Sequence, residues 1–263
     1  MESHLVFSVD GVEHWLLYPR TLHLPDLNVY RKENHMRTSV GERLQAATGL
    51  VFVLLSLIAL FAMPPRPAPG APANEIALYY TAHSGAAKAA DYLFLLGLLF
   101  ALWFIGYLRT VFAQAEGELH HLSTLFFGSG VAVVAVGMVF WGMGLALPGQ
   151  AADLGVIKAL SEVVTFGISI TFLLDFLHVG TASVLVLRTG VLPRWVGVFG
   201  VVVAVVQVLG SLSLVTNSSF FAVGGPFALL AFVVFLLDIL VVSIILIVKA
   251  GSGKAVGTSS ATA

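Results

Sequence analysis

The chain of 263 residues contains no cysteine. Disulfide bonds, catalysis by a thiol and iron–sulfur ligation are therefore excluded, and the redox compartment is left undetermined. Charged residues are also scarce, at 10% of the chain, whereas a soluble domain carries about a quarter. So few charges cannot cover a water-facing surface, and the sequence predicts that most of the chain lies in lipid.

Several functional motifs are absent as well. The chain has no phosphate-binding loop of the Gly-x-x-x-x-Gly-Lys-Ser/Thr type and no Gly-x-Ser-x-Gly nucleophile elbow. The formal net charge is -1, and no dense Lys/Arg cluster marks a strong site for nucleic acid or lipid headgroups. We therefore expect the lipid bilayer as a partner and no nucleic acid.

Apolar residues make up 58% of the chain, and the mean hydropathy is +0.97. Six apolar runs are near or above the roughly 20 residues that a helix needs to cross the hydrocarbon core. None has the alternating pattern of a barrel strand. The runs cover about residues 44–63, 90–108, 122–147, 156–187, 195–216 and 226–248. The sequence predicts an all-α, polytopic bundle of six transmembrane helices over residues 44–248, in the cell membrane.

Basic residues divide unevenly between the two sides of this topology. One side holds ten of the 13 Lys and Arg residues: Arg20, Arg31, Lys32, Arg37, Arg43, Arg109, Arg188, Arg194, Lys249 and Lys254. The other side holds only Arg66, Lys88 and Lys158. Because cytoplasmic loops carry the excess of Lys and Arg, both termini are predicted to be cytoplasmic.

The two ends of the chain differ from the bundle. Residues 1–43 form a predicted cytoplasmic segment, in which "HLVFSVDGVEHWLLY" has the Asp-Gly signal of a hairpin but is too short to hold a core. Met36 begins "MRTSVGERLQ" directly before the first span. One hypothesis is that residues 1–35 are an over-called upstream extension, and the other is that they are native. The small, polar residues 249–263 are predicted to be a disordered cytoplasmic tail.

The loop after the first span is predicted to be external. Its stretch "EIALYYTAH" is expected to form a short helix at the membrane interface, with Tyr79 and Tyr80 as anchors. Asp91 and Glu162 lie near external ends of spans, and we expect both to be solvated carboxylates at the interface.

Three stretches resemble a family of bacterial six-helix integral membrane proteins of unknown function. They are "ALYYTAHSGAAKAADYLFLLGLLFALWFIGYLR", "AEGELHHLSTLFFGSGV" and "LRTGVLPRWVGVFG", and together they cover under half of the chain. The resemblance implies the six-helix architecture. It implies no active site, because the family supplies none.

Two aspartates lie near the centres of predicted spans, Asp175 in "FLLDFLHV" and Asp238 in "FLLDILVV". An aspartate at the centre of a membrane helix costs about 2.5–3.5 kcal/mol on insertion scales, so a partner, a water cavity or protonation must offset it. Thr171 and His178 share the helix face of Asp175. The candidate intramembrane polar network is therefore Thr171, Asp175, His178 and Asp238.

This network has two interpretations. In the first, its members satisfy one another and lock the helices, which favours a structural or accessory membrane protein without catalysis. In the second, Asp175, His178 and Asp238 form a proton or cation relay in a small proton-coupled carrier. A membrane-embedded enzyme is the least favoured class, because no nucleophile–base pair is visible.

Metal, cofactor and oligomer sites are less well supported. His83, His120, His121 and His178 fall on different sides or at different depths of the predicted bundle, so we expect no catalytic residues, metal or cofactor. Gly200 and Ala204 form a small-x-x-x-small pair. That pair favours packing within the chain, with a homo-oligomer through small-residue faces as the alternative.

The hypothesis about residues 1–35 gives the first prediction. If translation starts at Met36, mass spectrometry of the native protein will detect an N-terminus at or just after this residue. Detection of a peptide spanning Glu2 to Arg20 would rule the hypothesis out.

Overall fold

The computed structural model describes residues 27–118, 120–216 and 218–251. These residues form six α-helices: α1 (Leu27–Ala62), α2 (Ala73–Glu116), α3 (His121–Ala146), α4 (Leu154–Thr189), α5 (Arg194–Gly210) and α6 (Pro226–Gly251). Short 3₁₀ turns follow α3 and α5, at Leu147–Gln150 and Ser211–Leu214. No strand occurs in these described ranges, and the all-α prediction is confirmed.

The chain divides into two units, Met1–Thr38 and Ser39–Ala263. In the first unit the described backbone, residues 27–38, is helical. The predicted hairpin and the predicted disordered tail beyond Gly251 lie outside the described residues. The second unit contains all six helices that are long and apolar enough to cross a membrane.

Apolar sequence explains the second unit. Mean hydropathy in the six candidate spans lies between 1.9 and 3.2, and a helix satisfies its own backbone polar groups where lipid offers none. Large apolar side chains also cover the outside, among them Phe61 (84% exposed) and Trp103 (63% exposed). This apolar exterior is the surface that a bilayer covers, and it agrees with a multi-pass membrane protein.

α4 lies at the centre of the packing, since it contacts α2, α3 and α5. α5 also packs on α6, and α2 on α3. α1 adds to the bundle through Phe52, which lies 3.3 Å from the position that a Cβ on Gly97 of α2 would take. The α1 residue Gly49 faces Ser243 of α6 and Phe104 of α2. Six helices therefore enclose one interior.

Small residues allow the closest approaches between helices. Gly200 of α5 lies directly against Ser183 of α4, and Ala204 is buried one turn later. On α4, the missing side chain of Gly167 makes room for the ring of Phe140 from α3. The faces around Gly200 and Ala204 are thus occupied within the chain, as the packing interpretation expects.

α2 begins before the span that the sequence indicates. Its 44 residues include a break in helical geometry at His83 (φ -119°, ψ 21°). The expected short helix before this point is present as the first part of α2. However, Tyr79 and Tyr80 are only 8% and 3% exposed, so they pack inside the protein and the expectation that they are interfacial anchors is wrong.

Side chains cap the helices where the chain turns. The carboxylate of Glu116 accepts hydrogen bonds from the backbone N–H groups of Leu122 (2.8 Å) and Ser123 (2.9 Å), at the start of α3. Asp153 accepts from Gly155 and Val156 at the start of α4, both at 3.0 Å. These caps use the free N–H groups of a helix start and fix the short turns between spans.

Membrane orientation follows from the charge distribution and is our second prediction. Because the chain has no cysteine, Ala68→Cys and Glu118→Cys each place a single thiol in an exposed loop at opposite ends of α2. We expect a membrane-impermeant maleimide to label Ala68→Cys in intact cells and Glu118→Cys only after lysis. Labelling in the reverse pattern would show that both termini are external.

Candidate functional site

A cavity of about 90 Å³ lies inside the bundle, and all six helices contribute to its wall. Because one ordered water needs about 10–15 Å³ of such space, there is room for several water-sized groups. Most of the wall is apolar and includes the rings of Phe52, Phe104, Phe112, Phe126 and Phe235. The lining also includes Leu192, so the cavity reaches from the bundle interior to the turn between α4 and α5.

Three polar side chains interrupt this apolar wall. His178 and Ser183 come from α4, and Asp238 comes from α6. α4 therefore presents two polar side chains to the same space. His178 and Asp238 are the titratable side chains among those lining the cavity.

His178 is held by α3. Its Nδ1 lies 3.0 Å from the backbone carbonyl oxygen of Phe126, and its ring stacks on the Phe126 ring at a centroid distance of 4.3 Å. Gly130 leaves room for the imidazole, because a Cβ there would lie 2.6 Å from the ring. A carbonyl oxygen can only accept, so Nδ1 carries the hydrogen in this bond. In the neutral ring, Nε2 is then an acceptor.

Ser183 and Asp238 both lie close to Gly200. The Ser183 hydroxyl donates to the carbonyl oxygen of Val179 at 2.7 Å, within α4. A Cβ added to Gly200 would overlap the Ser183 hydroxyl oxygen and lie 3.8 Å from Oδ1 of Asp238. The missing side chain of Gly200 therefore makes room for the Ser183 hydroxyl near Asp238.

Asp238 is half-buried and has no hydrogen-bonding or charged partner among the described residues. Helix α6 places it opposite α5 and at the cavity wall. An ionised carboxylate in such a position accepts hydrogen bonds only. It is therefore a free acceptor that faces a space large enough for a small molecule.

Asp175 and Thr171 lie outside the lining of this cavity. Asp175 is 7% exposed, and its Oδ1 has no hydrogen-bond partner in the described part of the chain. The Thr171 hydroxyl donates to the carbonyl oxygen of Ile168 at 2.7 Å and not to Asp175. The structure thus brings His178 and Asp238 to one cavity, and leaves Thr171 and Asp175 on α4 beside it.

The sequence analysis does not predict an ion pair that joins α2 to the loop before it. Nη2 of Arg66 donates to Oδ1 of Asp91 at 2.8 Å, and Asp91 is fully buried. The guanidinium also lies 5.5 Å above the ring of Trp141, which stacks on Phe94 at 4.3 Å. The expectation that Asp91 is a solvated carboxylate is wrong, because Arg66 folds back from its loop and covers it. Glu162 is exposed, as expected.

The Arg66–Asp91 pair ties the loop between α1 and α2 to the bundle. Tyr79 strengthens the connection, since its hydroxyl donates to the carbonyl oxygen of Pro64 at 3.0 Å. Oδ2 of Asp91 and Nε of Arg66 are buried without a partner among the described residues. No sequence signal singles out this pair, because Glu75 and Lys88 lie nearer to the start of α2 than Asp91 does.

The ion pair gives the third prediction. Asp91→Asn should lower the free energy of unfolding by about 1.5–3 kcal/mol, because the partly exposed Arg66 loses a charge-assisted hydrogen bond to a buried carboxylate. The double variant Arg66→Gln/Asp91→Asn should melt closer to wild type, since it removes both charges. Thermal unfolding in detergent measures this, with the exposed Glu162→Gln as a matched control. If Asp91→Asn melts like Glu162→Gln, the ion pair does not hold the loop.

Comparison with known proteins adds no family to these observations. No protein-family model, curated protein or solved structure matches the chain. Among the described residues, no three of His, Asp or Glu form a group that could hold a metal ion. The resemblance to a bacterial six-helix family therefore stays a prediction, and what the structure establishes is a helical, multi-pass membrane protein.

Proposed function

We propose that this integral membrane protein is a small proton-coupled carrier that works through its central cavity. Asp238 and His178 are its proton-binding groups. The observation that carries this proposal is the position of Asp238, without a partner, on a cavity wall that it shares with His178. Such a carboxylate can be neutralised from within the cavity, by a proton or by a bound cation.

The energetics of the membrane support this role. An aspartate near the centre of a span costs about 2.5–3.5 kcal/mol, and a purely structural role would offset that cost through a fixed partner. The described residues supply such a partner for Asp91 but not for Asp238. A carboxylate that is left without a partner beside a cavity fits a group that exchanges its counter-charge.

Asp175 has a separate place in the proposal. It precedes His178 by one turn of α4 and lies outside the cavity lining. We propose that it extends the proton path along α4, away from the turn that contains Leu192. Thr171 adds a hydroxyl to the same helix face, although its hydrogen atom is used within α4.

A structural or accessory role is the second candidate, and a specific observation favours it. His178 is bonded across to α3 through Phe126, and Arg66 pairs with Asp91, so two of the buried polar groups do hold elements together. This role explains His178 and Asp91. It does not explain why Asp238 lies at the cavity without a partner.

Accessibility of the cavity distinguishes the two roles and is the fourth prediction. Ser183→Cys places the chain's single thiol on the cavity wall, and Thr181→Cys places one at the same depth of α4, buried off the cavity. In a carrier, a membrane-impermeant thiosulfonate reagent will modify Ser183→Cys from either side, in right-side-out and in inverted vesicles. Thr181→Cys should stay unmodified.

Two outcomes would count against the carrier. If Ser183→Cys resists the reagent from both sides, the cavity never opens and the structural role is favoured. If it reacts from one side alone under every pH gradient, the cavity is a binding site without alternating access.

A further inference from the structure

The polar groups of the central cavity share one property, which is that all of them accept hydrogen bonds. Ser183 donates its hydroxyl hydrogen to the carbonyl oxygen of Val179, and His178 donates its Nδ1 hydrogen to the carbonyl oxygen of Phe126. The acceptors left on these three lining residues are the Ser183 oxygen, Nε2 of the neutral imidazole and the carboxylate of Asp238. A ligand that fits these groups must bring the donors itself.

The remainder of the wall limits what else the ligand can be. Aromatic rings and aliphatic side chains surround the acceptors, and the volume of about 90 Å³ admits only a few non-hydrogen atoms. Aromatic faces attract cations as well as apolar groups, which suits a small ligand with a positive end and a short apolar end. An anion would meet the Asp238 carboxylate with no Lys or Arg among the lining residues.

We propose that this cavity binds a small protonated amine, either ammonium or a short alkylammonium ion. Its N–H groups donate to Asp238, His178 and Ser183, and its alkyl part packs against the phenylalanine rings. This inference rests on the proposed carrier function and names its substrate class.

A single carboxylate also explains how the amine and the proton are coupled. Asp238 is neutralised either by a proton or by the ammonium ion, and the two cannot occupy it together. Binding of the amine therefore displaces the proton, and release of the amine lets a proton return. When the amine binds, the O–H bond of the protonated carboxyl breaks and its proton passes to water; when the amine leaves, a proton from water forms that bond again. Carried across the membrane, this competition exchanges one cation for the other.

The other buried carboxylates do not offer such a site. Asp91 already has the guanidinium of Arg66 as its counter-charge, and an amine would have to displace it. Asp175 does not line the cavity. Of these three aspartates, Asp238 alone combines a free carboxylate with a space for a ligand and further acceptors around that space.

A binding experiment on the purified full-length protein tests the assignment and is the fifth prediction. Calorimetric titration with ethylammonium chloride should give saturable binding, whereas ethanol, which has no charge, and potassium chloride, which has no N–H donors, should give none. Asp238→Asn should weaken ethylammonium binding at least tenfold, because a charge-assisted hydrogen bond is lost. Glu162→Gln is the matched control, since it also turns a carboxylate into an amide but at an exposed position outside the cavity, and it should bind like wild type.

A second variant guards the test against misfolding. Ser183→Ala removes one acceptor from the cavity wall without adding bulk or changing charge, and it should also weaken binding. Each variant is accepted only if its thermal unfolding in detergent remains cooperative.

Three results would overturn the assignment. They are the absence of saturable ethylammonium binding to wild type, equal loss of affinity in Glu162→Gln and Asp238→Asn, and equally strong binding of potassium ions. None of these results would contradict the carrier proposal, because modification of Ser183→Cys tests it separately. If Ser183→Cys is modified from both sides while ethylammonium does not bind, the protein is a carrier for another substrate class.

Discussion

Hydrocarbon offers no hydrogen bonds, and this constraint explains how the polar side chains of the bundle are arranged. Most hydroxyl groups donate to a carbonyl oxygen three or four residues earlier in their own helix, as in Ser129, Thr171, Thr181, Ser183 and Thr189. Each hydroxyl is then satisfied locally and has no hydrogen to give to a neighbouring helix. The buried carboxylates must find their partners elsewhere.

Two aspartates differ in how they meet this constraint. Asp91 receives the guanidinium of Arg66, and this pair of charges holds the loop between α1 and α2. Asp238, near the middle of α6, faces a cavity that reaches Leu192 in the turn between α4 and α5. Asp91 thus has a fixed counter-charge, whereas Asp238 has none among the described residues.

The sequence predicts the helices well, because hydropathy over about 20 residues is a strong signal and needs no knowledge of neighbours. The start of α3 and the start of α6 agree with the predicted runs within one residue. The sequence predicts less well which side chains are buried. The sequence predicts Tyr79 and Tyr80 as anchors of an interfacial helix, and Asp91 as a solvated carboxylate near the end of a span. Their burial depends instead on helix rotation and on a loop that folds back.

The candidate site shows the same division. Local sequence places Asp175 and His178 on one face of α4, since residues three apart are neighbours on a helix. It does not show that His178 bonds to α3, or that Asp238 of α6 comes to the same cavity while Asp175 does not. Those facts depend on the order of six apolar helices around the bundle, and many orders satisfy the same hydropathy. Ser183 was missed because a serine in a membrane helix carries no signal until its neighbour, Gly200, is known.

The space beside Asp238 exists because one residue has no side chain. Gly200 meets Ser183 so closely that a single methyl group would overlap the serine oxygen and come into contact with the Asp238 carboxylate. Glycine and alanine codons differ by one base, so the site is one nucleotide change away from being narrowed. Selection to keep the cavity would therefore act on Gly200, a residue of α5 that has no side chain. In natural variation, the identity of that small residue would indicate whether the cavity is in use.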